Sequence, residues 1–98
     1  MLIVILLVVL VVAGRPKAAI LFYNRGAYYY NRGLYKEAEV LFKRSLALDS
    51  KAAITNYILG NVYMKLGQDD RAVEFYQKAV YLDPRRVNAY SALSDIYL

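Results

Sequence analysis

Two patterns of apolar residues divide the chain. Residues 1–13 form an uninterrupted apolar run, and eleven of the first twelve residues are Leu, Ile or Val. From residue 19 onward, apolar residues recur at helical spacing and are interrupted by glycines. This spacing places apolar side chains on one face of a helix. It predicts helices at about 19–31, 35–48, 53–65 and 69–82, and the start of another helix after residue 86.

The residues between these segments agree with helix ends. Gly33 and Gly67 suit the left-handed turn that commonly closes a helix. Pro84 follows the fourth segment, where a helix cannot easily continue. Asp69 is predicted to be the N-cap of that segment, because a short carboxylate side chain can accept a bond from the first free backbone N–H groups.

The helical part of the chain repeats itself. A shift of 34 residues brings nine residues onto identical ones. The matched pairs are Ala19 and Ala53, Ile20 and Ile54, Tyr23 and Tyr57, Gly26 and Gly60, Tyr29 and Tyr63, Gly33 and Gly67, Ala38 and Ala72, Leu48 and Leu82, and Asp49 and Asp83. We therefore divide it into unit 1 (19–52), unit 2 (53–86) and a partial unit 3 (87–98), in which only the first helix is present.

The small and large residues within each unit have a packing logic. Gly26 and Gly60 lie inside helices at a propensity cost of about 1 kcal/mol, so we expect close helix contacts there. This pattern, and the phrase LGNVYMKLGQDDRAVEFYQKAVYLDP in particular, resembles the tetratricopeptide repeat (TPR). The resemblance covers residues 19–98. It implies an all-α fold, a TPR-type α-solenoid of antiparallel helix pairs. The apolar run at the start of the chain predicts an N-terminal apolar helix in front of it.

The resemblance also implies a concave groove lined by the first helix of each unit. Its tyrosines would offer broad contact area at low entropic cost, and its asparagines would pair with a peptide backbone. Alternatively, Tyr23 and Tyr57 merely cover neighbouring helices. Tyr28 and Tyr29 are predicted to be packing residues. The groove residues are Tyr23, Ala27, Tyr30, Asn31, Tyr57, Asn61, Met64, Lys65, Ser91 and Asp95.

Three positions depart from the family pattern. Arg25 replaces the usual leucine, Asn56 replaces the usual aromatic residue, and Ser94 stands where the two full units have glycine. Arg25 indicates a more solvated first unit, a contact with an acidic group, or simply a loose consensus at a terminal repeat.

The groove residues also differ from those of chaperone-binding TPR domains. Those members of the family have a two-carboxylate clamp, with a lysine and an asparagine where unit 1 has Tyr23 and Ala27. Only Asn61 resembles a clamp asparagine, although Lys65 remains able to bind one carboxylate. Recognition of an acidic C-terminus is therefore not expected.

The apolar segment 1–14 is predicted to be a membrane anchor. Thirteen helical residues reach about 20 Å, which is short against a bilayer core of about 30 Å. A signal peptide cleaved after Ala13 and a buried helix or strand are the alternatives. Arg15 and Lys17, in the basic junction 15–18, would flank the anchor, contact membrane lipid and place the repeats on the cytoplasmic side.

Charge and composition narrow the function. Five basic residues and no acidic residue lie between Arg15 and Lys36, whereas the rest of the chain is balanced. This distribution does not favour a nucleic-acid binder, which would spread a basic stripe over its fold. The chain has no cysteine and no histidine. We therefore expect neither an enzyme nor a metal or other cofactor.

The combined prediction is a membrane-anchored adaptor that binds a protein or peptide in its groove. One alternative is an exported, periplasmic or secreted TPR protein that acts in envelope assembly. A second is the N-terminal recruitment part of a larger enzyme. A third is self-association through the open C-terminal unit, because a solenoid generally needs about three repeats and a cap.

Overall fold

Five helices account for the described part of the chain. The computed structural model describes residues 2–85 and 87–97, and the side chains of 2, 6–16, 87 and 97 are outside this description. The helices are α1 (Leu2–Asn31), α2 (Tyr35–Leu48), α3 (Ala53–Lys65), α4 (Asp69–Leu82) and α5 (Val87–Tyr97). The bounds of α2, α3 and α4 agree with those that the apolar spacing predicts.

Helix α1 is longer than the sequence suggests. It continues from Leu2 to Asn31, so the junction expected at 15–18 does not interrupt it. Proline inside a helix removes one backbone hydrogen bond at a cost of about 3 kcal/mol, which makes Pro16 a natural boundary to expect. The first helix of unit 1 is therefore continuous with the apolar segment.

The membrane anchor stays a prediction. Most of the segment 1–14 lies outside the residues whose side chains the structure describes. Within the described part of the chain, no helix is both long and apolar enough to cross a membrane.

The turn that closes the first helix is the same in both units. Gly33 and Gly67 each have a φ of 75°, the left-handed region that favours glycine. In unit 1 the N–H of Gly33 donates to the carbonyl of Tyr30, and that of Leu34 donates to Tyr29, both at 3.0 Å. The equivalent pair of bonds is present after α3. This is a Schellman motif, and it satisfies carbonyls that a helix end leaves free.

The start of α4 differs from the prediction. Asp69 is the first residue of the helix rather than its cap, which is Gln68, and no side chain caps the helix by a hydrogen bond. Asp69 and Asp70 both lie in the first turn, where a negative charge interacts favourably with the helix dipole.

The glycines inside the helices mark the closest contacts. A Cβ atom on Gly26 would lie 2.8 Å from Cε1 of Phe42, and one on Gly60 would lie closer still to the ring of Tyr76. Both rings are almost completely buried. The predicted close approach is confirmed: each glycine lets the aromatic ring of the second helix lie against the backbone of the first.

The helices stack in chain order. Helix α1 packs on α2 and α3 packs on α4 within the two units, while α2 contacts α3 and α4 contacts α5 between them. A buried hydrogen bond of 2.8 Å from Ser45 Oγ to the carbonyl of Ala19 joins α2 to α1. The result is a row of antiparallel helix pairs with one shared core. The buried apolar residues that form it are Ala38, Phe42, Leu59, Val62, Tyr63, Ala72, Tyr76, Ala79 and Ala89.

Candidate peptide-binding groove

Tyr23 and Tyr57 occupy equivalent places in the two units. The ring centroids of Tyr23 and Phe42 are 5.4 Å apart, and those of Tyr57 and Tyr76 are 5.9 Å apart. Both tyrosines are half-buried. Each ring therefore covers the second helix of its own unit and also keeps an accessible part. The covering role and the contact role are compatible at these positions.

Four tyrosines from both units form a cluster. Tyr30 meets Tyr35 edge-on, with ring centroids 5.5 Å apart. Burial, and then Tyr35 and Tyr57, raise the pKa of Tyr30. Burial, and then Tyr57 and Tyr30, raise the pKa of Tyr76. We call Tyr30, Tyr35, Tyr57 and Tyr76 the tyrosine cluster. Its two shifted phenols keep their protons at neutral pH, so each remains a hydrogen-bond donor.

Asn61 is held by a member of this cluster. The hydroxyl of Tyr76 donates a short hydrogen bond to Oδ1 of Asn61. Because this bond engages the amide oxygen, Nδ2 is the hydrogen-bond donor that Asn61 can offer to a ligand. The counterparts in unit 1 are Ala27 and Phe42, which have neither an amide nor a hydroxyl. The site is therefore polar in unit 2 and apolar in unit 1.

A small cleft lies beside Tyr23, between the two units. It has a volume of about 160 Å³ and is lined mainly by apolar residues, with Ser45, Asp49 and Thr55 as its polar lining. Ile20 and Ile54, which are an equivalent pair in the repeat, both line it. Its size and lining suit a small aliphatic side chain.

The other predicted groove residues are less constrained. Ala27 is half-buried, whereas Asn31, Met64, Lys65, Ser91 and Asp95 are exposed. Within the described residues, no hydrogen bond or ion pair joins Ser91 or Asp95 to the tyrosine cluster. The structure brings together Tyr30, Tyr57 and Asn61.

Three residues of α1 with predicted roles are not among the predicted groove residues: Arg15, Lys17 and Tyr28. Lys17 is exposed, and the side chain of Arg15 lies outside the described residues. Tyr28 is not the packing residue that the sequence suggested, because 52% of it is exposed. Its ring is covered on one side by the guanidinium of Arg32, 3.5 Å from the ring centroid.

Sequence reasoning misses two members of the cluster. The predicted groove includes neither Tyr35 nor Tyr76, because both belong to the second helices of their units. A signal is present for Tyr76, since its equivalent in unit 1 is Phe42 and the added hydroxyl needs a partner when buried. Tyr35 follows the glycine turn closely, and only the folded turn brings it back to Tyr30.

The geometry by itself defines a class of protein. Equivalent helix pairs, glycine-closed turns and a groove between stacked units are the features of an α-solenoid built from repeats. Sequence profiles of the tetratricopeptide repeat match residues 14–52 and residues 53–86. The chain therefore contains two tetratricopeptide repeats and belongs to that family over residues 14–86. Within the described residues, no group of acidic side chains is arranged to hold a metal ion.

The chain is similar to several characterised proteins. It is 30% identical over 89 residues to photosystem I assembly protein Ycf3 of Prochlorococcus marinus, a match that covers 88% of this chain and 51% of that protein. It is 33% identical to Ycf3 of a Synechococcus species over 85% of this chain and 50% of that protein. The chain thus spans about half the length of these relatives. It is also 31% identical to a probable biofilm formation methyltransferase of Pseudomonas aeruginosa, WspC, of which it covers 20%.

Solved structures share the fold. The crystal structure of MamA superposes with a TM-score of 0.80 and 29% identity, over 82% of this chain and 47% of that chain. The second TPR domain of Spaghetti (RPAP3), bound to the HSP90 peptide SRMEEVD, also has a TM-score of 0.80, with 22% identity, over 84% of this chain and 76% of that chain. These likenesses support the α-solenoid fold of the described helices.

Proposed function

We propose that this chain is a protein-interaction scaffold that binds an extended peptide segment and performs no chemistry itself. The observation that carries the proposal is the Asn61 amide, held by Tyr76 beside half-buried Tyr57 and Tyr30. A preset N–H donor next to aromatic faces suits a peptide backbone, whose carbonyl accepts the bond while its side chains lie against the rings.

The lining of the groove indicates an uncharged ligand. Among the predicted groove residues, only Lys65 and Asp95 carry a charge. The cleft beside Tyr23 adds a place for a small aliphatic side chain. The Spaghetti domains are seen with an acidic HSP90 peptide, but Tyr23 and Ala27 offer no cation or amide for such a ligand. We therefore expect a neutral segment with an aliphatic residue.

The relatives add support for a scaffold. The Ycf3 proteins are named as assembly proteins of photosystem I. Assistance in the assembly of a complex is a role that a protein-binding scaffold can perform. Holding a segment of a partner during the assembly of a complex is the role we propose for this chain.

The groove is tested by binding measurements on the full chain. Neutral peptides selected from a displayed random library are labelled, and their affinities are measured by fluorescence polarisation. We expect Tyr57→Ala and Asn61→Ala to weaken binding at least tenfold, which corresponds to about 1.4 kcal/mol. Asn61→Asp keeps an acceptor for Tyr76 but lacks the N–H donor, so it should weaken binding as well.

Two controls accompany this experiment. Tyr28→Ala removes an exposed tyrosine outside the groove and should leave the affinity unchanged. The peptide SRMEEVD should bind at least tenfold more weakly than the selected neutral peptides. Undiminished affinity in both Tyr57→Ala and Asn61→Ala, with the helical content intact by circular dichroism, would exclude the groove as the binding site.

We also propose that residues 1–14 tether the repeats to a membrane, on its cytoplasmic side. Support comes from the uncharged apolar run and from the basic residues Arg15 and Lys17 that follow it. A dual reporter fused after Leu98, with one half active in the cytoplasm and the other beyond the membrane, tests the orientation. A cytoplasmic signal in the membrane fraction is expected. An external signal, with cleavage after Ala13, would favour the exported alternative instead.

A further inference from the structure

A second cavity lies beside α4, away from the groove. It has a volume of about 510 Å³ and is lined by Asn56 and by residues of α4 that include Lys78, Tyr81 and Leu82. None of its lining residues belongs to the predicted groove. Tyr81 stands at this cavity with 85% of its surface exposed, an unusual degree of exposure for a large aromatic residue.

The internal repeat shows what this space would normally contain. A shift of 34 residues places Asn56 on Phe22 and Lys78 on Arg44. In unit 1 the guanidinium carbon of Arg44 lies 5.9 Å from the centroid of the Phe22 ring. In unit 2 the corresponding cation and the corresponding position both line the cavity, but position 56 carries no ring, and Lys78 lies instead 4.9 Å from the centroid of the Phe75 ring. The cavity therefore lies where unit 1 has an aromatic side chain and unit 2 has none.

Asn56 adds an unfilled hydrogen-bonding requirement. It is only 2% exposed, although it is an amide at a position that an aromatic residue usually fills. Its Nδ2 donates to the carbonyl of Ala52 at 2.9 Å, which ties the side chain to its own helix. No residue in the described part of the chain donates a hydrogen bond to its Oδ1. A buried amide oxygen without a donor is costly, so a group that brings a donor into the cavity is favoured.

We propose that this cavity binds a tryptophan side chain of a protein partner. The indole ring takes the place that Phe22 fills in unit 1, and its N–H donates to Oδ1 of Asn56. Indole is the aromatic side chain whose polar atom is a donor only, which matches a site that offers an acceptor. Tyr81 lies beside the ring as an aromatic face, and Lys78, whose Nζ pairs with Oε1 of Glu74 at 3.2 Å, also lines the cavity. A second copy of the chain is not the source, because the chain contains no tryptophan.

This inference does not depend on the proposed groove. The two sites share no residue, so a partner that binds here can do so whether the groove is occupied or not. Failure of either site in its own test leaves the other unaffected.

The lack of tryptophan makes the test direct, because all indole fluorescence comes from the probe. The full chain is titrated into a fixed low concentration of N-acetyl-L-tryptophanamide, and the emission maximum and anisotropy are followed. We expect saturable binding with a blue-shifted emission. Asn56→Phe, which fills the cavity from within, should weaken this binding at least tenfold. The 1-methyl derivative of the probe lacks the indole N–H and should also bind at least tenfold more weakly.

Two further variants separate binding in this cavity from binding in the groove and from a loss of folding. Asn61→Ala alters the groove and should leave probe binding unchanged. Tyr81 is exposed, so Tyr81→Ala should not disturb folding, and it should weaken binding at least threefold even if Asn56→Phe proves unstable. Binding that is unchanged in both cavity variants, equal for the methylated probe, or absent altogether would overturn the proposal.

Discussion

Two residues show how one scaffold carries different chemistry in its two units. Unit 2 has Tyr76 and Asn61 where unit 1 has Phe42 and Ala27. The hydroxyl and the amide bond to each other, so neither is left unsatisfied in the interior. The pair is either polar in both members or apolar in both members. A substitution at one of them is thus expected to act partly through the other.

Ionisation of Tyr76 provides the first test at this scale. Burial raises its pKa, so the folded chain retains the phenolic proton to a higher pH than the unfolded chain does. The contribution to stability is complete below about pH 10 and is lost as the pH rises above that value. We expect the Tm measured by circular dichroism to fall as the pH is raised from about 10 to 12, and to fall less steeply in Tyr76→Phe. Parallel curves for the two proteins would contradict this assignment. Tyr30, whose pKa is also raised, accounts for part of the decline that remains.

Gly60 gives the second test. Alanine at this position gains about 1 kcal/mol of helix propensity, but its Cβ would collide with the ring of Tyr76. Overpacking a core costs about 1–3 kcal/mol, so the collision should dominate and Gly60→Ala should lower the free energy of unfolding. The double variant Gly60→Ala with Tyr76→Leu removes the ring that collides. Urea denaturation should show that Gly60→Ala lowers the free energy of unfolding only when Tyr76 is present. An equal decrease in the parent chain and in the Tyr76→Leu chain would argue against a collision.

At the scale of the helices, the sequence predicts what local rules determine. The bounds of α2, α3 and α4 follow from the apolar period and from the glycine turns at Gly33 and Gly67. The continuation of α1 through Pro16 is not predicted, because a proline is expected to end or kink a helix. In the structure the loss of one backbone hydrogen bond at Pro16 does not end the helix. The predicted cap of α4, Asp69, is one residue too late, because Gln68 is the residue before the helix. Helix ends are determined by the turn, and Asp69 satisfies the helix dipole just as well from inside the first turn.

The candidate site is predictable only in part. Tyr23, Tyr57 and Asn61 lie on the first helices, where the resemblance to the repeat family places a groove. Tyr35 and Tyr76 belong to the second helices, and their part in the cluster depends on where their hydroxyls come to lie between helices. The cavity at Asn56 is visible as a departure from the family pattern, but its volume follows from packing alone.

The glycine turns allow a test that isolates backbone conformation. Gly67 has a φ of 75°, and a Cβ added there would meet no atom within 4 Å. Gly67→Ala should therefore lose about 1–2 kcal/mol of unfolding free energy through backbone strain without any collision. Asparagine tolerates this conformation better, so Gly67→Asn should lose less. Chemical denaturation of both variants tests this order, and an alanine variant as stable as the parent would exclude strain at the turn.

On the scale of the whole molecule, Tyr63 of α3 connects the two units. The ammonium of Lys43, which belongs to α2, lies 5.9 Å from the centroid of the Tyr63 ring, and the interaction with Tyr63 raises the pKa of Lys43. On the other side, the ring of Tyr63 stacks on Phe75 of α4, with centroids 5.3 Å apart. The single ring of Tyr63 thus contacts both unit 1 and the second helix of its own unit. In a solenoid each repeat contacts only its neighbours, so a helix at the junction contributes much of the energy that couples the two units.

This central position predicts an order of stability along the chain. Helix α3 contains six buried residues, whereas α2 and α4 contain three each. Local opening requires the least energy where the fewest side chains are buried, so amides of α3 should open only when both of its neighbours separate from it. Hydrogen exchange measured by NMR on the full chain should show the slowest exchange in α3 and the fastest among the described helices in α5, which packs mainly on α4. Substitution of Lys43 by methionine keeps the aliphatic part of the side chain and removes the ammonium that lies over the Tyr63 ring. It should narrow the difference in exchange rate between α3 and α4. If the amides of α2 or α4 outlast those of α3 in the parent chain, the two units are stabilised independently, and the contact through Tyr63 does not couple them.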